Sequence, residues 1–277
     1  DFEGEKPMPE LPEIAIFARD MQKELPGRTL VEVEVLQPKC LNLPPQEFRA
    51  ALPGATIQDV TAHGKWLQLQ TTQGWLLLNL GMGGEILLTD RRHLPDRYRL
   101  IFDLLDGAAL AVNFWWFGFA HFAAHPREHP MVGKLGPHAL ALSLDEFRAL
   151  LAGRRGAIKT FLLDQERIAG IGNVYVQDPL FKAGIHPLRA IPTLTDAEVA
   201  ALWAALHETL QESIAEGGAP FELNLYGQKG GWNARFLVGY REGQACPVCG
   251  TTIEKIKTGS TSSYICPRCQ PLEGSAA

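Results

Sequence analysis

The sequence predicts an α+β fold, in which a leading helix and an antiparallel β-sandwich are followed by a helical domain that ends in a small β-hairpin. Three observations predict it. Apolar residues recur with helical spacing near the start, they alternate with polar residues between turn signals up to about residue 125, and the helical spacing returns after residue 140. The chain has 277 residues, 46% of them hydrophobic and 21% charged, which is enough for two domains with packed cores.

The first predicted element is an amphipathic helix from Glu10 to Leu25. Its apolar residues recur at intervals of three and four positions, at Ile14, Phe17 and Met21. A Pro-Glu pair suits its first turn, and a Pro-Gly pair follows its last residue. The sequence therefore places carboxylates at the start of this helix.

Short strands are predicted after the helix. Valines alternate with glutamates over 31–35, and the segments 66–70, 75–80 and 100–112 are rich in strand-forming residues, the last being interrupted by an Asp-Gly turn. Turn signals about every ten residues are typical of a β-sandwich. The sandwich is expected to end near residue 125.

Helical signals then return. Ser143 with Glu146 and Thr195 with Glu198 have the spacing of capping boxes, and each precedes a run of apolar residues at helical intervals. Asp178, followed by a proline, predicts another helix start with the aspartate as its N-cap. The middle third of the chain is therefore predicted to be helical.

Composition narrows the class of protein. No apolar run approaches the length of a membrane span, and the first residues are not those of a secretory signal, so we expect a cytoplasmic protein. The formal net charge of −5 argues against a histone-like partner, although a local basic surface can still bind nucleic acid. Of five cysteines, Cys40 stands apart and is predicted to be buried and inert.

The other four cysteines form the strongest motif. Cys246 and Cys249 make one CxxC pair, and Cys266 and Cys269 make a second after a spacer of hairpin length. Four thiolates in this arrangement predict one structural zinc ion, with a β-hairpin over 251–265 between the two pairs. The alternative is a pair of redox dithiols, for which the surrounding sequence offers no βαβ context.

Two further motifs complete a pattern. The chain contains Gly170-Ile171-Gly172-Asn173, whose glycines allow a close approach of the backbone to a phosphate, and Met8-Pro9-Glu10-Leu11-Pro12-Glu13 near its start. With the cysteine pairs, and in this order, these motifs resemble the formamidopyrimidine-DNA glycosylase and endonuclease VIII family. The resemblance extends from residue 8 to residue 270.

The resemblance implies a domain organisation. A catalytic β-sandwich would span 8–137, a helix-two-turn-helix DNA-binding domain 138–238, and a zinc finger and tail 239–277. Residues 1–7 precede Met8, which has the character of a natural start in the sequence itself, and they are expected to be a remnant of cloning. A monomer that binds DNA in the cleft between its domains is expected, associated with the nucleoid if the source is a bacterium.

The resemblance also implies an activity and its residues. A family member excises a damaged base and then cuts the strand as an abasic-site lyase (AP lyase), and the nucleophile is an N-terminal proline exposed by removal of the methionine. The implied catalytic residues are Pro9, Glu10, Glu13 and Lys65. The implied DNA-binding residues are Lys65, Met82, Trp115, Trp116, Phe117, Lys159 and Asn173.

These residue types suit the chemistry independently of the family. An α-amino group titrates close to neutrality and can act as a nucleophile, unlike a lysine at its ordinary pKa. Glu10 and Glu13 can move protons, and Lys65 can hold a phosphate. Judged alone, the two glutamates could instead merely favour the positive end of the helix dipole, and Met82 and Phe117 could be core residues.

The sequence departs from the family pattern at several positions. Trp115 and Trp116 stand where family members commonly have two arginines, and Thr261 aligns with a phosphate-binding arginine of the zinc finger. Asn79 replaces a familiar histidine. The loss of cations weakens binding to intact duplex and makes it less dependent on salt.

The two tryptophans leave two interpretations open. They could stack on unpaired bases, or they could form a buried aromatic cluster with Phe114 and Phe119. The first interpretation includes DNA that is damaged, abasic or locally unpaired among the partners. It also supports an alternative function, that of a divergent, non-excising protein that recognises single-stranded, gapped or branched DNA.

Overall fold

The leading helix forms as predicted and packs its apolar face into the core. In the computed structural model, which describes residues 7–232 and 236–272, α1 spans Leu11–Glu24. Ile14, Phe17 and Met21 are fully or almost fully buried, as their spacing on one helix face requires. The Glu10 N–H, just before the helix, donates a hydrogen bond of 3.0 Å to Glu13 Oε2, which satisfies a donor that the helix leaves unpaired.

Eight strands follow and confirm the predicted sandwich. In chain order they are β1 (Leu30–Val35), β2 (Ile57–His63), β3 (Trp66–Thr71), β4 (Gly74–Asn79), β5 (Glu85–Asp90), β6 (Leu100–Leu104), β7 (Ala108–Asn113) and β8 (Phe119–Ala123), with the short helix α2 (Pro45–Ala51) between β1 and β2. They form two four-stranded sheets, ordered β1-β6-β7-β5 and β2-β3-β4-β8, in which all pairs are antiparallel.

One hydrophobic core joins the two sheets and α1. It contains Val33 and Phe102 from the first sheet and Leu67 and Leu76 from the second, all buried. Cys40 is buried at its margin, and desolvation raises the pKa of its thiol to about 11. The prediction that this thiol is buried is therefore confirmed, and its desolvation disfavours the nucleophilic thiolate.

Four α-helices follow the sandwich in the part of the chain that the structure describes. They are α3 (Leu144–Leu151), α4 (Ile158–Leu163), α5 (Gln177–Lys182) and α6 (Asp196–Ala215). Both predicted capping boxes are confirmed: the Glu146 N–H donates to Ser143 Oγ and the Glu198 N–H donates to Thr195 Oγ1, while each glutamate accepts the backbone N–H of its partner.

The prediction that Asp178 is an N-cap is wrong. Helix α5 begins at Gln177 after Val176, so Asp178 lies within its first turn. Its buried carboxylate instead accepts the backbone N–H groups of Leu237, Val238 and Gly239 at 2.9 to 3.0 Å. The Val238 and Gly239 N–H groups are themselves buried and need a partner, so they compete successfully for the side chain.

A hairpin near the end of the chain is made by β9 (Glu254–Thr258) and β10 (Thr261–Ile265), within the range predicted for it. The chain divides into two compact units, Asp1–Lys134 with Ile214–Gly231 and Leu135–Ser213 with Trp232–Ala277. None of the helices in the described ranges is long and apolar enough to cross a membrane.

Candidate active site

The start of α1 holds two buried carboxylates next to Pro9. Pro9 itself is buried, and only 3% of Glu10 and 4% of Glu13 is exposed. Glu13 Oε1 accepts the Ala219 N–H at 3.0 Å while its Oε2 accepts the Glu10 N–H. These glutamates are therefore parts of a buried polar arrangement, and Glu13 is held in place by donors on both of its oxygens.

The segment before Pro9 is hydrogen-bonded to the loop that carries Met82. The Gly83 N–H donates a hydrogen bond of 3.1 Å to the Pro7 carbonyl oxygen. Met82 itself is half-buried. The predicted nucleophile and this predicted DNA-binding residue therefore belong to neighbouring segments of one unit.

Lys65 occupies the tight turn between β2 and β3. Gly64, with φ of +59°, makes this two-residue turn possible, and Lys65 is half-buried. Asn79 Nδ2 donates to the Lys65 carbonyl oxygen at 3.1 Å, and Asn79 Oδ1 accepts the Gly81 N–H at the same distance. Asn79 thus ties the lysine turn to the Met82 loop, a role that sequence reasoning missed.

A cluster of aromatic and histidine rings supports this turn. The Trp66 ring stacks on Phe119 with centroids 5.9 Å apart, and His121 Nδ1 lies 2.7 Å from His129 Nε2. His129 Nδ1 accepts the Val132 N–H, so its proton is on Nε2 and points to His121. Burial, with the neighbouring His129, lowers the pKa of His121 to about 4, and burial also lowers the pKa of His129.

This pair predicts a loss of stability in acid. The unfolded chain protonates His121 near pH 6.5 and the folded chain only near 4, so its contribution is complete above about 6.5 and is lost as the pH falls towards 4. We expect the free energy of unfolding to fall by about 2 kcal/mol between pH 7 and pH 5 from this group. Urea unfolding of His121→Asn, whose oxygen replaces the Nδ1 acceptor, should lack this share of the loss. His93→Asn, at an exposed histidine, should retain it, and equal pH profiles for both variants would contradict the assignment.

The loop between β7 and β8 exposes its aromatic side chains. Trp115 is 45% exposed, Trp116 67% and Phe117 69%, whereas Phe114 before them is buried. A buried cluster of these tryptophans with Phe114 and Phe119 is therefore wrong, and so is a core position for Phe117. Phe117 has φ of +58°, a strained conformation for a large side chain.

In the second unit, Lys159 lies beneath the β9–β10 hairpin. Its ammonium is almost fully buried and donates to the hydroxyl groups of Thr258, Thr261 and Ser263 and to the Ser262 carbonyl oxygen, at 2.7 to 3.1 Å. The lysine that was predicted to bind phosphate thus positions the hairpin, including Thr261.

Asn173 is joined to the same hairpin through a residue that sequence reasoning did not single out. Gln177 Nε2 donates to the Asn173 carbonyl oxygen at 2.8 Å and to the Ser262 carbonyl oxygen at 3.3 Å, and Gln177 Oε1 accepts the Tyr264 N–H. Gln177 follows Asn173 by four residues, a spacing at which side chains can interact, and this was the signal in the sequence that could have identified it. Lys159 directly, and Asn173 through Gln177, are therefore linked to β10.

The four cysteines of the CxxC pairs converge on one point. All four sulfur atoms lie within 4.8 Å of one another, close to the edge of about 3.8 Å that Zn–S bonds of about 2.3 Å give a tetrahedron. Two separate redox dithiols would not need to meet in this way. The donor set fits one structural zinc ion, which the cysteines hold between the hairpin and the preceding loop.

Comparisons with known families cover most of the chain. Residues 8–113 match the formamidopyrimidine-DNA glycosylase N-terminal domain, residues 135–223 match the formamidopyrimidine-DNA glycosylase H2TH (helix-two-turn-helix) domain, and residues 243–272 match a zinc finger found in FPG and IleRS. The structure and these matches define the class of H2TH proteins with a catalytic β-sandwich and a zinc finger.

Individual relatives support the same family assignment. The formamidopyrimidine-DNA glycosylase of Chloroflexus aggregans is 38% identical over 96% of this chain and 99% of its own, and that of Magnetococcus marinus is 34% identical over 95% and 99%. The Lactococcus lactis Fpg, in a complex with DNA that contains an abasic site, superposes with a TM-score of 0.87 at 27% identity, covering 95% of this chain and 99% of its own. This chain belongs to the formamidopyrimidine-DNA glycosylase family.

Proposed function

We propose that this protein is a DNA repair glycosylase with AP lyase activity, which removes a damaged base and then cuts the strand beside it. The observation that carries the proposal is the buried start of α1, where Pro9 precedes two carboxylates and Glu13 is fixed by backbone donors. Family membership and relatives solved with abasic or 8-oxo-G DNA support it. DNA is the partner, and the cytoplasm or the nucleoid is the proposed location.

Pro9, freed of preceding residues, is the proposed nucleophile. Its unprotonated nitrogen attacks C1′ of the damaged nucleotide, and the base leaves with the electron pair of the glycosidic bond and takes up a proton. The Pro9 nitrogen then loses its proton, and its lone pair forms an iminium with C1′ as the C1′–O4′ bond breaks and O4′ takes up a proton, which opens the sugar ring. Loss of a proton from C2′ expels the 3′ phosphate and cuts the strand, and water releases the enzyme. Glu10 moves protons at the sugar, and Glu13 positions Glu10.

Other residues are proposed to hold the DNA. Lys65 binds the phosphate of the lesion, and Met82 and Phe117 fill space next to the displaced base. Asn173 contributes to a phosphate site, which Lys159 supports from below the hairpin. We also propose three functional regions: a catalytic domain over 8–137, a DNA-binding domain over 138–238, and a zinc finger with the tail over 239–277.

A second candidate is favoured by the exposed tryptophans and by Thr261. A protein without excision that binds single-stranded, gapped or branched DNA would retain the aromatic loop and dispense with the arginines. It would have no chemical use for Glu10 and Glu13 beside Pro9. The excising function therefore accounts for more of the structure.

Incision assays distinguish the two candidates. We expect protein that begins at Pro9 to cut oligonucleotides containing an oxidised purine, a formamidopyrimidine or an abasic site, and to leave undamaged DNA intact. Glu10→Gln should lower base excision by about 100-fold or more, since a general acid or base contributes about that much. Glu32→Gln, at an exposed strand position, is the control. Tight binding without cutting of any substrate would favour the second candidate.

A further inference from the structure

We propose that Trp115, with Tyr98, Arg97, Arg99 and Asn113, forms a binding pocket for an unpaired nucleotide next to the lesion. The proposal rests on the proposed function and deepens it. It makes damaged bases in gapped, bulged or otherwise unpaired DNA the preferred substrate class.

The pocket is a cavity of about 490 Å³ on the sandwich unit. Trp115 and Tyr98 supply aromatic faces in its lining, Arg97 and Arg99 supply guanidinium groups, and Asn113 supplies an amide. Asp96 also lines it, so the charged side chains leave a positive balance. An aromatic face for a base, a cation for a phosphate and an amide for a base edge are together the chemistry that recognises a nucleotide.

Backbone hydrogen bonds hold the β7–β8 loop, which carries Trp115, in place. The Trp115 N–H donates to the Met82 carbonyl oxygen and the Met82 N–H donates to the Trp116 carbonyl oxygen, both at 2.8 Å. Arg99 Nε donates to the Phe114 carbonyl oxygen at 3.2 Å. The exposed tryptophan is thus presented by an ordered loop, which reduces the entropy lost when a base stacks on it.

Two glycines make this close packing possible. A Cβ on Gly81 would lie 2.2 Å from the Trp116 carbonyl oxygen, and one on Gly118 would lie 2.3 Å from the ring of Phe114. Gly81 also has φ of +57°, which favours glycine. The local sequence therefore accommodates an aromatic loop at this position.

The loop that carries Trp115 is linked by hydrogen bonds to the segment that precedes the proposed nucleophile. The Met82 segment that pairs with the aromatic loop continues into Gly83, whose N–H is bonded to the Pro7 carbonyl oxygen, two residues before the nucleophile. A strand that places its lesion at Pro9 would therefore bring adjacent nucleotides towards Trp115. In intact duplex these bases are stacked and paired, so only unpaired ones are free to enter.

Binding of an uncut lesion analogue tests the pocket. Fluorescence anisotropy would compare Glu10→Gln protein on a fully paired duplex with a reduced abasic analogue and on the same strand opposite a gap. We expect tighter binding to the gapped DNA. Adding Trp115→Ala should weaken that binding by about 10-fold, the scale of one stacked base, and weaken duplex binding by about twofold. Trp115→Phe should restore most of the loss.

Further arms separate the alternatives. Leu105→Ala, at another exposed apolar residue of the same unit, should have no effect. Arg97→Gln should lower the salt slope for gapped DNA by about one. Equal losses on both DNAs with Trp115→Ala, or stronger binding of a free deoxynucleotide than of the gapped strand, would overturn the proposal. Because cutting is not measured, selective binding without incision in the separate assay would reject the proposed function and leave the pocket standing.

Discussion

Borohydride is expected to trap a covalent complex with abasic-site DNA when the chain begins at Pro9, and to trap at least about 100-fold less when residues 1–8 remain attached. A free α-amine has a pKa of about 8 and is substantially unprotonated near pH 7.5, whereas a lysine is unprotonated in only about one molecule in 1,000. In the longer form the Pro9 nitrogen is part of an amide, whose lone pair is delocalised into the carbonyl group. It has neither the nucleophilicity nor the geometry to form an iminium.

Pro7 and Met8, the two described residues before Pro9, also occupy space near the site. The Pro7 carbonyl oxygen accepts the Gly83 N–H, so this short segment contacts the Met82 loop. Removal of residues 1–8 therefore frees the nitrogen and clears the segment in front of it. Both effects act in the same direction on the yield of trapped complex.

Variants sharpen this comparison. Pro9→Gly keeps an α-amine and should retain partial trapping, while Glu10→Gln should slow trapping on DNA that still carries the damaged base. Lys65→Ala in the longer form tests the most plausible competing amine. Equal yields of adduct from the long and short forms, abolished by Lys65→Ala, would identify the lysine as the nucleophile and reject Pro9.

Much of the fold followed from local signals in the sequence. The leading helix, both capping boxes and the strands of the sandwich depend on neighbouring residues, and the structure confirms them. The cysteine pairs were equally informative, because two CxxC knuckles can close a tetrahedron whatever the rest of the chain does.

Residues whose partners are distant in sequence were harder to interpret. Asp178 had the signature of an N-cap, yet its partners are backbone groups about sixty residues later. Lys159 had the character of a surface cation, and its burial depends on four groups of a hairpin about one hundred residues away. No periodicity or local propensity records such competition between partners.

The sequence did not determine whether Trp115 and Trp116 are buried or exposed, and the reason is different. The composition of this loop is compatible both with a buried aromatic cluster and with exposed aromatic side chains. The pairing of the loop with Met82, together with the positive φ of Phe117, directs the side chains outwards. That pairing depends on two glycines whose significance emerges only from the three-dimensional contacts.

Removal of zinc is expected to unfold the hairpin and with it the support of the proposed phosphate site. Elemental analysis should find one zinc ion per chain. Structural zinc of this type contributes about 10 kcal/mol or more to folding at neutral pH, far more than two short strands can supply. Cys266→Ser should therefore lose the ion and lose protection from amide exchange over 254–265.

The consequence should extend beyond the hairpin. The Lys159 ammonium is buried against Thr258, Thr261 and the two residues after it, and it would lose these acceptors when the strands separate. A buried cation without acceptors is costly, so the region around α4 should loosen and DNA affinity should fall together with zinc content. Cys40→Ser is the matched control, since that thiol lies in the other unit. Full DNA affinity and unchanged exchange in zinc-free protein would show that the hairpin is stable without the metal and that Lys159 does not depend on it.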